Sequence, residues 1–129
     1  MIQVGTLLTV IDNSGAKTAL CLKVFPGYKR RYANIGDTIL ISIKTLRLKR
    51  RDSLKVKKGE LYRALILRVK VPVKVFSGDS FSYGGKSSVI LLNKQNKYLG
   101  TRFLGAVSKT FRFTKYLKVL ALSSAIHKI

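Results

Sequence analysis

Between Thr38 and Lys44 the side chains alternate without a break. Ile39, Ile41 and Ile43 fall on one side, and Leu40, Ser42 and Lys44 on the other. A period of two marks a strand with one face in a core. Ile35-Gly36-Asp37, just ahead, reads as a tight lead-in turn. Other stretches follow the same rule. Thr6–Asp12 is β-branched and apolar, and Asn13-Ser14-Gly15 closes it with a turn. Ala16–Phe25 resumes the pattern, with Ala19, Cys21 and Lys23 facing away from Leu20, Leu22 and Val24, until Pro26-Gly27 stops it.

The second half repeats the theme less cleanly. After Lys58-Gly59, Tyr62, Ala64, Ile66 and Arg68 share one face, and Leu61, Arg63, Leu65, Leu67 and Val69 the other. Lys70, Val71, Val73, Lys74 and Val75 nearly alternate around Pro72, and Ser77-Gly78-Asp79-Ser80 turns the chain back. This predicts a ribbon, and Pro72 puts it at an edge or projecting from the body. Ser87–Asn93 reads as a short buried strand. Toward the end, Ser108 can cap a short helix over 108–113, while Lys118–Leu122 suits a strand or a helix. Many short strands, glycine turns and no long helical period predict a mainly β single domain, a barrel with a small α appendage.

Composition sharpens this picture. The 129 residues suit one domain, and 47% hydrophobic content can fill its core. Charge is the louder signal: 26 Lys and Arg stand against 5 Asp and Glu, a net +21. So few carboxylates cannot neutralise the cations internally, so the counter-charge is external. Nucleic acid is the first candidate and an anionic membrane surface the second. The membrane reading is weak, because Leu61–Phe76 is interrupted by Arg63, Arg68, Lys70 and Lys74, and no long uncharged apolar run exists. The first residues lack a basic stretch and carry Asp12 early, so they do not read as a signal or transit peptide.

Catalytic chemistry finds little to work with. Asp12, Asp37, Asp52, Glu60 and Asp79 are scattered and sit mostly beside turns. Asp12-Asn13-Ser14-Gly15 reads as a strand end with an Asx-type turn. Gly84-Gly85-Lys86-Ser87 lacks the upstream glycine of a phosphate-binding loop. Cys21 is the only cysteine and His127 the only histidine. The thiol reads as a small buried hydrophobe, and neither a disulfide nor a zinc site is expected. No cofactor, metal or catalytic residue is expected.

The basic groups form a stronger constellation. Lys29-Arg30-Arg31-Tyr32 joins three cations to an aromatic ring, which suits phosphates and an exposed base. Arg47, Lys49, Arg50, Arg51, Lys55, Lys57 and Lys58 make a second cluster, and Arg68, Lys70 and Lys74 a third. One charge run is often solvated surface. Three in a chain of this charge favour a polyanion.

Several segments then resemble one family in colinear order. Met1-Ile2-Gln3, Asp12–Ala16, Cys21–Val24, Arg30–Ala33 and Ile35–Asp37 are similar to the universal large-subunit ribosomal protein fourteen family of bacterial type. So are Val56–Glu60, Gly100–Gly105 and Lys118–Leu122. The resemblance implies a small five-stranded β-barrel over residues 1–129, a projecting ribbon over 70–86 and a C-terminal α/loop segment over 105–129 with one or two short helices. It implies a structural role in the large subunit, with large-subunit rRNA and neighbouring ribosomal proteins as partners. It also implies a bridge to small-subunit rRNA and a surface for the ribosome-silencing factor. The rRNA-binding residues expected are Asn13, Ser14, Lys17, Lys23, the three basic clusters and Tyr32. Thr101, Arg102 and Lys118 are expected on the subunit-interface and silencing-factor surface.

The chain also departs from the family. Tyr83-Gly84-Gly85 stands where the family has an acidic ribbon end. Lys109-Thr110-Phe111-Arg112 and Ser124–Ile129 replace two further acidic motifs, and the basic loop upstream of Val56 is longer. Protein contacts that used those acids are put in doubt. The drift to Lys, Ile, Leu, Phe, Tyr and Ser, with no Trp, resembles proteins of AT-rich organelle genomes. A mitochondrial ribosome is expected, with plastid or bacterial ribosomes as alternatives. A free-standing single-strand binder is a rival, but it would want aromatics along one strand face.

Overall fold

The computed structural model describes residues 1–25, 27–48, 54–74 and 77–127. Its strands are β1 (Leu7–Val10), β2 (Ala16–Val24), β3 (Thr38–Leu46), β4 (Leu61–Arg68), β5 (Val73–Lys74), β6 (Ser80–Phe81), β7 (Ser88–Leu92), β8 (Phe103–Ser108) and β9 (Ser123–His127). Five of them close a barrel in the order β1-β2-β3-β4-β7, the mainly β architecture expected. Neighbours run antiparallel except at the seam, where β1 meets β7 in parallel through Thr9–Ser88 and Val10–Val89.

The inward face of β3 is as expected, with Ile39, Ile41 and Ile43 wholly buried inside the barrel, while on the other face Ser42 is buried as well and Leu40 half-buried. Beside them on β2 stand small side chains, for Ala19 pairs with Ile43 and Cys21 with Ile41. A small residue next to each large one lets a narrow barrel fill without overpacking. Cys21 is thus the buried small hydrophobe expected, and burial pushes its thiol up.

Two face assignments need correction, and both have one cause. In β2 the register shifts between Cys21 and Lys23, so Val24 returns to the core and Lys23 faces out. In β4 the register shifts between Ile66 and Arg68. Val69 therefore joins Ala64 and Ile66 in the barrel interior, while Arg68 turns outward. A bulge inserts one residue and reverses every later side chain.

Strict alternation also fails in β4 because Ala64 to Leu67 are buried on both faces. The outer face, Leu65 and Leu67 with Ile90 and Leu92 of β7, carries a second core. Phe103, Val107, Phe111, Tyr116, Val119 and Leu120 cover it from the C-terminal segment. That segment holds two short helices, where one or two were expected. A 3₁₀ helix spans Lys109–Phe113, capped by Ser108, whose Oγ accepts the Thr110 N–H at 3.3 Å. Helix α1 spans Lys118–Leu122. It also holds more than the α/loop segment expected, because β8 and β9 pair in parallel.

The ribbon turns where expected. Val73 pairs with Phe81 and Lys74 with Ser80, and Ser77 Oγ donates to Asp79 at 3.1 Å within the turn. Its base borders a groove of about 460 Å³ shared with Met1, Ile35, Ser108 and Thr110.

Candidate nucleic-acid interface

Where the carboxylates go decides what the cations can do. Asp12 is wholly buried; one oxygen accepts the N–H and hydroxyl of Ser14, and the other accepts the Leu91 N–H at 2.9 Å. Asp37 accepts Arg30 at 2.5 Å and the Asn34 N–H at 2.8 Å. Glu60 accepts the Tyr62 hydroxyl at 2.6 Å and the Lys57 N–H at 3.1 Å, and these bonds hold its carboxyl below the ordinary value. Asp79 is engaged in its own turn. Among the described residues Arg30–Asp37 is the one ion pair, so the other surface cations keep their charge for something outside the chain.

The first basic cluster splits into a clamp and a tip. Arg30 is the clamp: besides Asp37, its Nε donates to the Tyr32 carbonyl at 3.2 Å. Ala33 then exchanges two backbone hydrogen bonds with Ile2, each 2.8 Å, which fixes the loop on the barrel. Lys29 and Arg31 are exposed, and Tyr32 is half-exposed. Lys17 and Lys23 on β2 are exposed as well.

The second cluster splits the same way. Arg47 is half-buried; its guanidinium donates to the Val10 carbonyl at 2.9 Å and its N–H to the Gly15 carbonyl at 2.8 Å. Lys55 donates through Nζ to the Leu99 carbonyl at 3.3 Å. Lys57 and Lys58 are exposed at the turn before β4. Lys49, Arg50 and Arg51 lie outside the described residues.

Two expected contacts are corrected by burial. Ser14 has no exposed surface, and its hydroxyl is committed to Asp12. Arg68 is not part of the ribbon cluster. It lies under the C-terminal segment, donating to the Leu104 carbonyl at 3.1 Å. Burial draws its guanidinium below the usual range, with Tyr83 opposing. Lys70 and Lys74 remain exposed.

Asn13 and Thr101, expected on different surfaces, are bonded to each other. The Asn13 amide donates to Thr101 Oγ1 at 2.7 Å, and its oxygen accepts the Thr101 N–H at 2.8 Å. Gly100 makes this docking possible, since a Cβ there would stand 2.7 Å from Asp12 Cβ. Thr101 and Lys118 line one groove of about 820 Å³, with Tyr98, Tyr116 and Leu117. Arg102 follows Thr101 and is exposed. Sequence reasoning missed Arg63, whose guanidinium lies 5.7 Å from the Phe25 ring centroid and bonds Asn96 at 3.2 Å. A cation between apolar residues of a strand gave little sign of facing outward with others. No cluster of three potential metal-ligating residues occurs among the described residues, and no described helix is long and apolar enough to cross a membrane.

A closed five-stranded barrel that, among the described residues, pairs one of its cations with a carboxylate and leaves many others exposed defines a small, strongly basic β-barrel protein. The family model for ribosomal protein L14p/L23e matches residues 1–127, and the chain belongs to that family. It is therefore a structural protein of the large ribosomal subunit that serves translation, in a family that is generally non-enzymatic. Membership implies rRNA and ribosomal proteins as its partners.

Proposed function

We propose that the chain binds large-subunit rRNA through the tip of loop 27–32, the turn at 55–58 and Lys17 and Lys23 on β2. The observation that carries this reading is the commitment of the described carboxylates to internal partners, with a single cation neutralised. Lys and Arg at exposed loops then exchange counterions for phosphates. Folded RNA is read here by shape and backbone rather than by base sequence. The barrel supplies the rigidity that keeps these loops in register.

The groove holding Thr101 and Lys118 is the face for the subunit interface, the bridge to small-subunit rRNA and the silencing factor. Neighbouring large-subunit proteins pack beside it. The low acid content and the Lys- and Ile-rich composition favour a mitochondrial ribosome. Arg50 and Arg51 extend the rRNA contact of the second cluster.

Incorporation of charge-reversed variants into large subunits across a salt series tests the reading. Reversing Arg31 with Lys58, or Arg50 with Arg51, weakens incorporation and makes it more salt-sensitive. Wild-type incorporation by both variants at every salt concentration would refute it. A map of the parent particle with loop 27–32 and the turn at 55–58 in bulk solvent would do so as well.

A further inference from the structure

Tyr28 leaves 88% of its surface exposed, four residues beyond the end of β2 at Val24. A single exposed ring is ordinary on a protein surface, and Phe113 is as exposed, so what distinguishes Tyr28 is the backbone and charge beside it. The backbone around it is not slack. Lys29 has a φ of +53°, a left-handed conformation that side chains other than glycine adopt at a cost. Such strain persists where the surroundings impose it, and it concentrates at binding sites. Here Phe25 N–H bonds the Thr38 carbonyl on one side, and the Arg30–Asp37 clamp holds the other.

Cations line the approach to this ring. Lys29 Nζ stands 5.5 Å from its centroid. Lys23 Nζ lies 5.9 Å from the Phe25 ring, and its side chain passes so near Gly27 that a Cβ there would stand 3.1 Å from Lys23 Cε. Arg63 stacks on Phe25 from β4 at 5.7 Å. Two cation–ring groups therefore stand near this loop, Lys23 and Arg63 on Phe25 and Lys29 on Tyr28, with the Lys23 side chain reaching Gly27, the neighbour of Tyr28. Asp37, the acid facing this loop, is taken up by Arg30.

We propose that Tyr28 is a stacking platform for one unpaired nucleobase of rRNA, with Lys23 and Lys29 on the adjacent phosphates. The inference rests on the rRNA-binding reading above and adds the class of ligand. A nucleotide uses both the flat exposed ring and the positive charge beside it. An acidic protein segment would use the charge and leave the ring face idle. Tyr32 is a poorer platform, since its ring is half covered and its carbonyl is tied to Arg30.

The test is 2′-hydroxyl acylation of rRNA, which reports nucleotide mobility, in large subunits carrying wild type, Tyr28→Phe or Tyr28→Ser. The ring lies outside both cores, so each variant folds, which thermal unfolding verifies; reactivity is compared per incorporated copy, measured by subunit stoichiometry. Tyr28→Ser should free an unpaired nucleotide, shifting its stacking equilibrium roughly tenfold, while Tyr28→Phe leaves it as in wild type. An unchanged pattern for Tyr28→Ser overturns the proposal. So does an unchanged pattern with loss of a cross-link from this loop to a neighbouring ribosomal protein. If wild-type protein leaves no footprint relative to subunits lacking the chain, the rRNA-binding reading falls along with it.

Discussion

The Asp12 carboxylate accepts the backbone N–H of Leu91 at 2.9 Å, across the parallel seam where β1 meets β7. That seam is the shortest ladder in the barrel, with two paired positions. The buried carboxylate extends it, and its other oxygen holds the Ser14 turn from which Asn13 reaches Thr101. One side chain thus reinforces the backbone bonds that close the barrel and supports the docking of Thr101.

Asp12→Ala should therefore be among the most damaging single changes. It leaves the Leu91 N–H and the Ser14 donors buried without acceptors, at about 1–3 kcal/mol each. We expect a total loss of about 3–5 kcal/mol, which for a chain of this size lowers Tm by roughly 10 °C or more. Urea and thermal unfolding check it. A loss below about 1 kcal/mol would mean that water replaces the carboxylate and the seam closes without it.

The Glu60–Tyr62 pair gives a signed pH dependence. Burial first, and then the bond to Glu60, push Tyr62 up to about 12 from 10.0. A raised folded value stabilises below the unfolded one, so this contribution is intact below pH 10 and is lost as pH rises toward 12. Glu60 has the opposite sign. Its lowered value stabilises above 4.5 and is lost as pH falls through the folded value. Glu60→Gln should bring Tyr62 ionisation to lower pH, yet still above the ordinary value, because burial remains. Tyrosinate absorbance after stopped-flow pH jumps measures this against Tyr62→Phe. No change on Glu60→Gln would mean that burial alone sets the shift.

Gly105 and Gly59 separate strain from collision. Their φ values are +88° and +86°, so alanine pays a similar backbone cost at either, about 1–2 kcal/mol. A Cβ at Gly59 meets nothing within 4 Å, whereas at Gly105 it stands 2.6 Å from Arg68 Nη1. Gly105→Ala should be the worse by at least about 1 kcal/mol, since Arg68 must leave the Leu104 carbonyl. Combining it with Arg68→Ala should erase that extra cost in a double-mutant cycle. Equal losses for both glycines would show that Arg68 moves aside freely.

What the sequence made legible follows the same physics. β3 was readable because Ile39, Ile41 and Ile43 all meet the core while Ser42 and Lys44 supply polar contrast between them, although Ser42 is itself buried. β4 was half readable, because Leu65 and Leu67 meet a second core and remove the polar contrast. The bulge before Arg68 then exchanged it with Val69, and no local pattern announces a bulge. β8 and β9 were missed because their partners come from distant sequence and Gly105 interrupts the run. Charge density singled out basic clusters, several of whose cations the structure leaves exposed. It could not say that Arg30, Arg47 and Lys55 bond the fold itself, since a structural guanidinium and a phosphate-binding one look alike in sequence.

That last distinction can be measured within the second basic cluster. Arg47 donates to the Val10 carbonyl from a half-buried position, while Lys58 is exposed at the turn before β4. Arg47→Ala should cost stability, about 1–3 kcal/mol for the carbonyl left without its donor. Lys58→Ala should leave stability within about 0.5 kcal/mol. Its effect should fall on rRNA affinity, reducing the slope of log K against log salt by about 0.7 to 0.9 for one phosphate contact. Unfolding curves and binding to the footprinted rRNA fragment, measured over a salt series, give both numbers for each variant. The division between fold-holding and phosphate-binding cations fails if Lys58→Ala leaves the salt slope unchanged, or if Arg47→Ala leaves the unfolding midpoint unmoved.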